Sequence, residues 1–298
     1  MFDFEVGKIR FIRGGKYPTC HSVFIDDEIR AVIDPASDEG KLLTIHRQRP
    51  IQVLINSHCH EDHFLLNSRF PDADLWVPRL EAAGFRNIDA FYDQFYESGD
   101  VDEKTKAAWD TFFTEVVQYQ PREPDRLLED EDILIFGQTR VRVLHTPGHS
   151  PGHLAFHFPE ERVLYLADLD LVKFGPYYGD KGSSIDDTIA SLQRVAAIDA
   201  DTYLVAHGRE GVLDGDPIYI QRYLDVIYTR EERLLVLLAS GPKNLDEIVA
   251  EGIIYGGRSL SGGAWELALS ERIMMDKHLR RLEHRGTIRQ EDSIYYLA

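Results

Sequence analysis

The chain has 298 residues, 43% of them hydrophobic and 28% charged, which suits a soluble globular protein with room for one large domain and a small one, or for two of ordinary size. Its 51 Asp plus Glu outweigh 33 Lys plus Arg for a formal net charge of -18, and by count residues 1–228 carry -17 of this and residues 229–298 only -1; the larger part should therefore repel polyanions. No run approaches the roughly 20 apolar residues of a membrane span, Met1-Phe2-Asp3-Phe4-Glu5 lacks the features of a signal peptide, and two cysteines, Cys20 and Cys59, imply no disulfide framework, so a cytoplasmic protein with no membrane partner is expected.

In chain order, Phe4–Ile12 alternates imperfectly as a strand, and Ser22–Ile25 with Arg30–Ile33 flank the break Asp26-Asp27-Glu28 as an antiparallel hairpin that ends at Asp34-Pro35. Lys41–Gln48 has helical character. The apolar run from Ile51 to Asn56 reads as a buried strand, and Leu75–Pro78 as another. Residues 81–120 interrupt this rhythm with a helical, aromatic-rich insertion. Phe91 and Phe95 share one helical face there, and Trp109, Phe112 and Phe113 another; these faces either pack on the body or roof a site, and Phe85, Tyr92 and Tyr96 belong to the same stretch. From Ile133 a meander of strands suggests a second sheet: Ile133–Phe136, Val141–His145, Leu154–Phe158 and Val163–Ala167. A helix over Ser184–Ile198 and a last strand of the body, Thr202–Ala206, follow. Strands alternating with helices predict an α/β protein with helix layered on sheet. Residues 229–298 differ: a helix over Arg230–Ala239, a second behind the cap signal Asn244-Leu245-Asp246-Glu247, a long amphipathic helix from about Ala264 to His284, and a hairpin of Thr287–Arg289 with Ile294–Tyr296 make a small winged-helix-like module. The expected domains are thus 1–228 and 229–298.

Chemistry concentrates where strands end. After Asn56 the chain reads Ser57-His58-Cys59-His60-Glu61-Asp62-His63, four potential metal ligands within six residues. On an extended backbone His58 and His60 face the same way, while Asp62 and His63 lie where the chain turns, so the loop suits one metal ion or two adjacent ones. Cys59 should point away from the histidines as a buried thiol. Thr146-Pro147-Gly148-His149-Ser150-Pro151-Gly152-His153 is a second loop, in which proline and glycine hold an imidazole in one direction. Asp168 follows a strand directly, with Asp170 as a competitor two residues on, and His207 precedes Gly208 after another strand.

Together, Asp34, the HxHxDH of His58 to His63, His149 in TPGHSPGH, Asp168 and His207 resemble the motifs of the metallo-β-lactamase superfamily over about residues 5–210, in a form similar to its glyoxalase II-like hydrolase branch. The resemblance implies a four-layer αββα sandwich with the site at one edge. It also implies that His58, His60 and His149 bind one divalent ion, that Asp62, His63 and His207 bind a second, and that Asp168 bridges them. Asp34 would support the ligands from behind, and His153 too; His21, His145 and His157 are expected to be structural. Two ions, zinc by preference with iron or manganese as alternatives, would hold a bridging hydroxide that attacks a small ester, thioester or lactone, with Asp62 handling the proton. Tyr177 and Tyr178, in the aromatic loop beyond Asp168, are candidate substrate contacts, and Ser57 has no base of its own and is given no catalytic part. Two other functions share the fold. A ribonuclease or phosphodiesterase would use the basic residues Arg272, Lys277, Arg280, Arg281 and Arg285, although Glu271, Asp276 and Glu283 interleave with them and the acidic body argues against nucleic acid. A di-iron redox protein, oxygen-binding or sulfur-oxidising, is the other alternative; the flavodiiron branch resembles HxExDH, whereas histidine stands at both His58 and His60 here. The C-terminal module is expected to cover the body and help form the substrate cleft or a homodimer interface.

Overall fold

The computed structural model describes residues 2–95, 103–256 and 265–298; Tyr96 and Ala264 of the readings above lie outside them. Seven strands form the first sheet, in spatial order β1 (Phe4–Val6), β2 (Ile9–Ile12), β3 (Ser22–Asp26), β4 (Arg30–Ile33), β5 (Val53–Ile55), β6 (Asp74–Pro78) and β7 (Arg126–Leu128). The first four pair antiparallel and the rest run parallel to β4. Phe4–Ile12, expected as one strand, is a hairpin, because Gly7 takes φ +51 and turns the chain back.

The second sheet orders β8 (Ile133–Ile135), β9 (Arg140–His145), β10 (Leu154–Phe158), β11 (Val163–Tyr165), β12 (Thr202–Leu204) and β13 (Val212–Asp214) from edge to edge. Here β11 and β12 are parallel, as their crossover through a helix requires. The strand expected to end the body is followed by β13, which pairs antiparallel with it. Neither β7 nor β13 stands out in the sequence, since each has three residues and a polar flank.

Alternation along the strands decides what covers each face. Phe11, Val23, Ile25, Ile33, Val53 and Ile55 of the first sheet meet Val141, Val143, Phe156, Phe158, Tyr165 and Leu204 of the second in the central core. The opposite face of the first sheet, with Val32, Leu54, Leu75 and Val77, is covered by α1 (Glu39–Gln48) through Leu42 and Ile45, and by Phe64, Phe85 and Phe91. The outer face of the second sheet, with Leu144, Leu164 and Tyr203, packs on α6 (Ile185–Ala196) through Leu192 and Val195. The layers therefore run helix, sheet, sheet, helix. The insertion contains α3 (Ala82–Arg86), α4 (Ile88–Tyr92) and α5 (Glu103–Phe112), and its two aromatic faces pack on each other, with Phe91 and Phe113 ring centres 4.8 Å apart.

One helix joins the two cores. α7 (Ile218–Ala239) gives Ile220, Tyr223, Leu224 and Ile227 to the body and Leu234 and Leu238 to the C-terminal cluster, so the expected boundary at residue 228 falls inside a continuous helix. That cluster also draws on α8 (Leu245–Ala250), α9 (Trp265–His284) and a three-stranded antiparallel sheet of β14 (Lys243–Asn244), β16 (Ile294–Leu297) and β15 (Ile288–Glu291). Asn244 and Glu247 close the reciprocal cap that starts α8.

Candidate metal centre

Each ligand-type side chain lies just past a strand's C-terminal end. Beyond β5 come His58 and His60, with Asp62 and His63 in the short helix α2 (Glu61–Phe64). Asp34 follows β4 at φ 52. The loop after β9 passes through Gly148 at φ 131, where a Cβ would come within 2.3 Å of the Thr188 backbone nitrogen, so only glycine lets His149 approach over the start of α6. Asp168 and His207 follow the parallel neighbours β11 and β12.

The Asp168 carboxylate stands between two groups of imidazoles. Its Oδ2 faces His149 Nε2 at 3.3 Å and His58 Nε2 at 3.9 Å, and His149 Nε2 is 3.1 Å from His60 Nδ1. Its Oδ1 faces His63 Nε2 at 2.8 Å and His207 Nε2 at 3.3 Å. Asp62 approaches the same two rings, 3.8 Å from His63 Nε2 and 3.5 Å from His207 Nε2. Potential ligand atoms of His58, His60, His149 and Asp168 all lie within 4.8 Å of one another, and so do those of Asp62, His63 and His207.

Charge and hydrogen bonding fit cations here. Burial alone would raise the Asp168 pKa, but His63, His207, His149 and His58 hold it well below the carboxylate range. Burial and the neighbours His63 and His60 push His58 well below the usual imidazole value, toward the neutral form a ligand needs. Burial also works against charge on His207, yet Asp168 and Asp170 raise it to about 10. The carboxylates thus demand positive charge, which protons supply on some rings and which a metal would supply by displacing them. Among the described residues the buried His58 Nε2 atom has no hydrogen-bond partner, and the imidazole nitrogens of His60 with His149 and of His63 with His207 meet at 3.1 and 3.3 Å. A divalent ion in each group would satisfy all these lone pairs at once, and the donor set suits zinc, iron or manganese.

Further residues hold the candidate ligands from behind. Asp34 Oδ2 is 3.0 Å from His63 Nδ1 and accepts from the Tyr165 hydroxyl at 2.7 Å, while Oδ1 accepts from Ser57 N at 2.7 Å. His153 Nε2 accepts from the Asp168 backbone N–H at 3.2 Å, and its Nδ1 lies 3.0 Å from Thr146 O; burial and His149 push its pKa down to about 3. Asp170, raised to about 7 chiefly by burial, accepts from the His207 backbone N–H at 2.8 Å, although its carboxylate also lies within ligand reach of Asp168 and His207. His21 contacts Gly208 O and His145 contacts Pro151 O, and Cys59 is a buried free thiol.

Two acids missed in the sequence complete the site. Buried Glu81 accepts from Cys59 N and from Gly152 N, each at 2.6 Å, and ties the two histidine loops together. Asp180, also buried, lies 2.8 Å from His60 Nε2. Their partners are 22 to 120 positions away in the chain, and nothing local marks either residue.

A cavity of about 500 Å³ opens onto the two groups, floored by His60, Asp62, His149 and Asp168 and walled by Phe95, Trp109, Phe112, Phe113 and Tyr177. The aromatic insertion therefore both packs on the body and roofs the site. Tyr177 borders the cavity, but Tyr178 does not: it is fully buried, with its hydroxyl 2.7 Å from His278 Nε2 and accepting from Arg230 at 2.8 Å, so its expected role as a substrate contact is corrected to a structural one. The basic residues of α9 are also engaged. Arg272 pairs with Asp246, Arg280 with Asp276, Arg281 with Glu231 and Asp186, and Arg285 with Asp186, while Lys277 donates to backbone carbonyls.

Residues 18–207 match the family described as the metallo-beta-lactamase superfamily, and the chain belongs to it. Solved structures of the same shape include a metallo-beta-lactamase family protein from Thermus thermophilus, with TM-score 0.72, 22% identity and 97% of this chain and 98% of that one covered. A beta-lactamase domain protein from Burkholderia ambifaria gives TM-score 0.74 and 24% identity over 99% and 94%. Among curated proteins, an atrochrysone carboxyl ACP thioesterase from Pseudocercospora fijiensis is 31% identical over 58% of this chain and 50% of its own length. An acyl-coenzyme A thioesterase from Gallus gallus is 32% identical over 25% and 27%. The chain thus spans half or less of these curated relatives.

Proposed function

We propose that the chain is a dinuclear metal-dependent hydrolase that cleaves thioesters with an apolar acyl part. The observation that carries this is the aromatic cavity set over two ligand groups, with Asp168 in the first facing His63 and His207 of the second. Two of the relatives above bear thioesterase names, which favours thioesters over the oxygen esters and lactones that the same site would admit.

His58, His60 and His149 would hold one ion and Asp62, His63 and His207 the other, with the Asp168 carboxylate facing both groups. When bound, divalent ions there would polarise the acyl carbonyl and lower the pKa of the attacking water. Asp62 faces the cavity and is placed to take the proton lost on attack and return it to the leaving thiol. Phe95, Trp109, Phe112 and Phe113 bind the acyl chain and keep bulk water from the carbonyl. The C-terminal module completes the cleft, since Ser270 of α9 lines the same cavity, and its paired basic side chains favour this role over nucleic-acid binding.

The test is a panel of acyl thioesters, matched oxygen esters, a lactone, a phosphodiester and single-stranded RNA, assayed with protein of measured metal content. The highest kcat/KM should fall on thioesters, rising with acyl length until the cavity is filled. A preference for phosphodiester or RNA would refute the reading.

A further inference from the structure

The C-terminal helix α9 reaches the metal groups through one short chain of contacts. His60 presents Nδ1 to His149 Nε2 at 3.1 Å, which leaves Nε2 pointing the other way, 2.8 Å from Asp180 Oδ2. Asp180 is 4% exposed, and its other oxygen accepts from the Tyr177 hydroxyl at 3.3 Å. It sits in a tight turn, where its backbone carbonyl accepts from Ser183 N at 3.1 Å and Ser183 Oγ at 2.7 Å. The Lys277 ammonium of α9 donates to that carbonyl at 2.8 Å and to Ser183 O at 2.5 Å, bracketing the turn from the C-terminal side. Lys277 is thus placed like a pin through the loop that carries Asp180.

An imidazole that binds a cation through one nitrogen needs its other N–H fixed. A carboxylate there sets the ring's tautomer and orientation and makes the free nitrogen a stronger donor. Asp34 stands behind Nδ1 of His63, and Asp180 stands in the corresponding place behind Nε2 of His60. The two carboxylates differ in origin. Asp34 ends a strand of the first sheet, whereas Asp180 lies in a loop whose position depends on α9.

We propose that Asp180 is the positioning residue of His60 and that Lys277 holds it in place, so the C-terminal module is part of the metal centre as well as a wall of the cleft. This rests on the two-ion reading above. The loop from Phe174 to Ser183 is also gripped by Arg230 of α7, which donates to Phe174 O and Pro176 O at 2.7 Å each. Two helices of the second core, α7 and α9, therefore act on the same loop, and displacing them would loosen one ligand of one ion while leaving His63 and His207 untouched.

The experiment measures the zinc affinity of each site by chelator competition, and the visible spectrum of the cobalt(II)-loaded protein, in the full chain and in Asp180→Asn, Asp180→Glu and Lys277→Met. Melting of the metal-free proteins serves as the control for folding. In Asp180→Asn one site should weaken about 10- to 100-fold and its cobalt bands should shift, with the other site unchanged. Asp180→Glu should recover part of the loss, and Lys277→Met should weaken the same site to a smaller degree. Unchanged affinities and spectrum in Asp180→Asn would overturn the role of Asp180. Unchanged affinities in Lys277→Met would overturn the pin, and that variant also decides the matter if Asp180→Asn does not fold. A wild-type chain that takes up only one ion would count against the dinuclear reading alone, because loss of that ion's affinity in Asp180→Asn would still support the positioning role.

Discussion

Asp34 shows how the site depends on buried carboxylates whose two oxygens both have partners. Its two oxygens accept from Ser57 N and from the Tyr165 hydroxyl and stand against His63, all without solvent exposure. Replacing Tyr165 by Phe removes one donor and leaves the carboxylate short of a partner, so Tyr165→Phe should lower the stability of the metal-free protein by about 1–3 kcal/mol, read from urea unfolding. A loss near zero would mean that the hydroxyl carries little weight. The residues that converge were legible in the sequence where each follows an apolar run that stops, as with His58, Asp168 and His207. Asp180 and Glu81 were not, because a carboxylate that serves a distant ring or a pair of backbone N–H groups leaves no spacing signature. Tyr178 misled for the opposite reason. Its neighbour Tyr177 faces the cavity, and adjacent side chains in an extended loop point to opposite sides.

At the scale of elements, the insertion and α9 do work that the strands cannot. Trp109 on α5 walls the cavity, and burying an aromatic side chain against an acyl chain contributes about 1.5–3 kcal/mol. Trp109→Ala should therefore raise KM for long-chain thioesters by about tenfold or more with kcat nearly unchanged, and leave the shortest acyl substrates unaffected; an equal effect on short and long chains would place the acyl group elsewhere. The contact of α9 with the body has its own pH dependence. Burial lowers the pKa of His278, which is fully enclosed with Tyr178 and Glu231 and lies near Arg230 and Arg281. The folded protein thus keeps His278 neutral where the unfolded chain would begin to take up a proton. This costs nothing above the ordinary histidine value near pH 6.5, and destabilises the fold progressively as pH falls from there toward the lowered value. Melting temperature between pH 7.5 and 5.5 should fall more steeply in wild type than in His278→Gln; parallel curves would remove His278 as the cause. Strands set in a longer apolar run and capped helices were readable, whereas β7 and β13, with polar residues beside them, and the turn at Gly7 were decided by pairing in the sheets.

Across the whole molecule, two hydrophobic cores share α7, and the ligand loops gather where parallel strands of two facing sheets end. The layering follows from faces that must be covered. Strands apolar on both sides, such as β4 and β5, require a sheet on one face and helices on the other. That order was visible in the alternation of strands with helices, but the continuity of α7 through residue 228 was not, since a helix that serves two cores looks in sequence like the end of one domain and the start of another. The acidic balance of the body finds part of its purpose at the centre, where Asp34, Asp62, Asp168 and Asp170 gather among histidines. If Asp168 joins two ions over which a thioester is cleaved, the most direct test is the metal content and thioester hydrolysis of Asp168→Ala beside wild type. Two ions per wild-type chain, with fewer ions and hydrolysis reduced to background in the variant, is the predicted result; a variant that keeps both ions and full hydrolysis would contradict it.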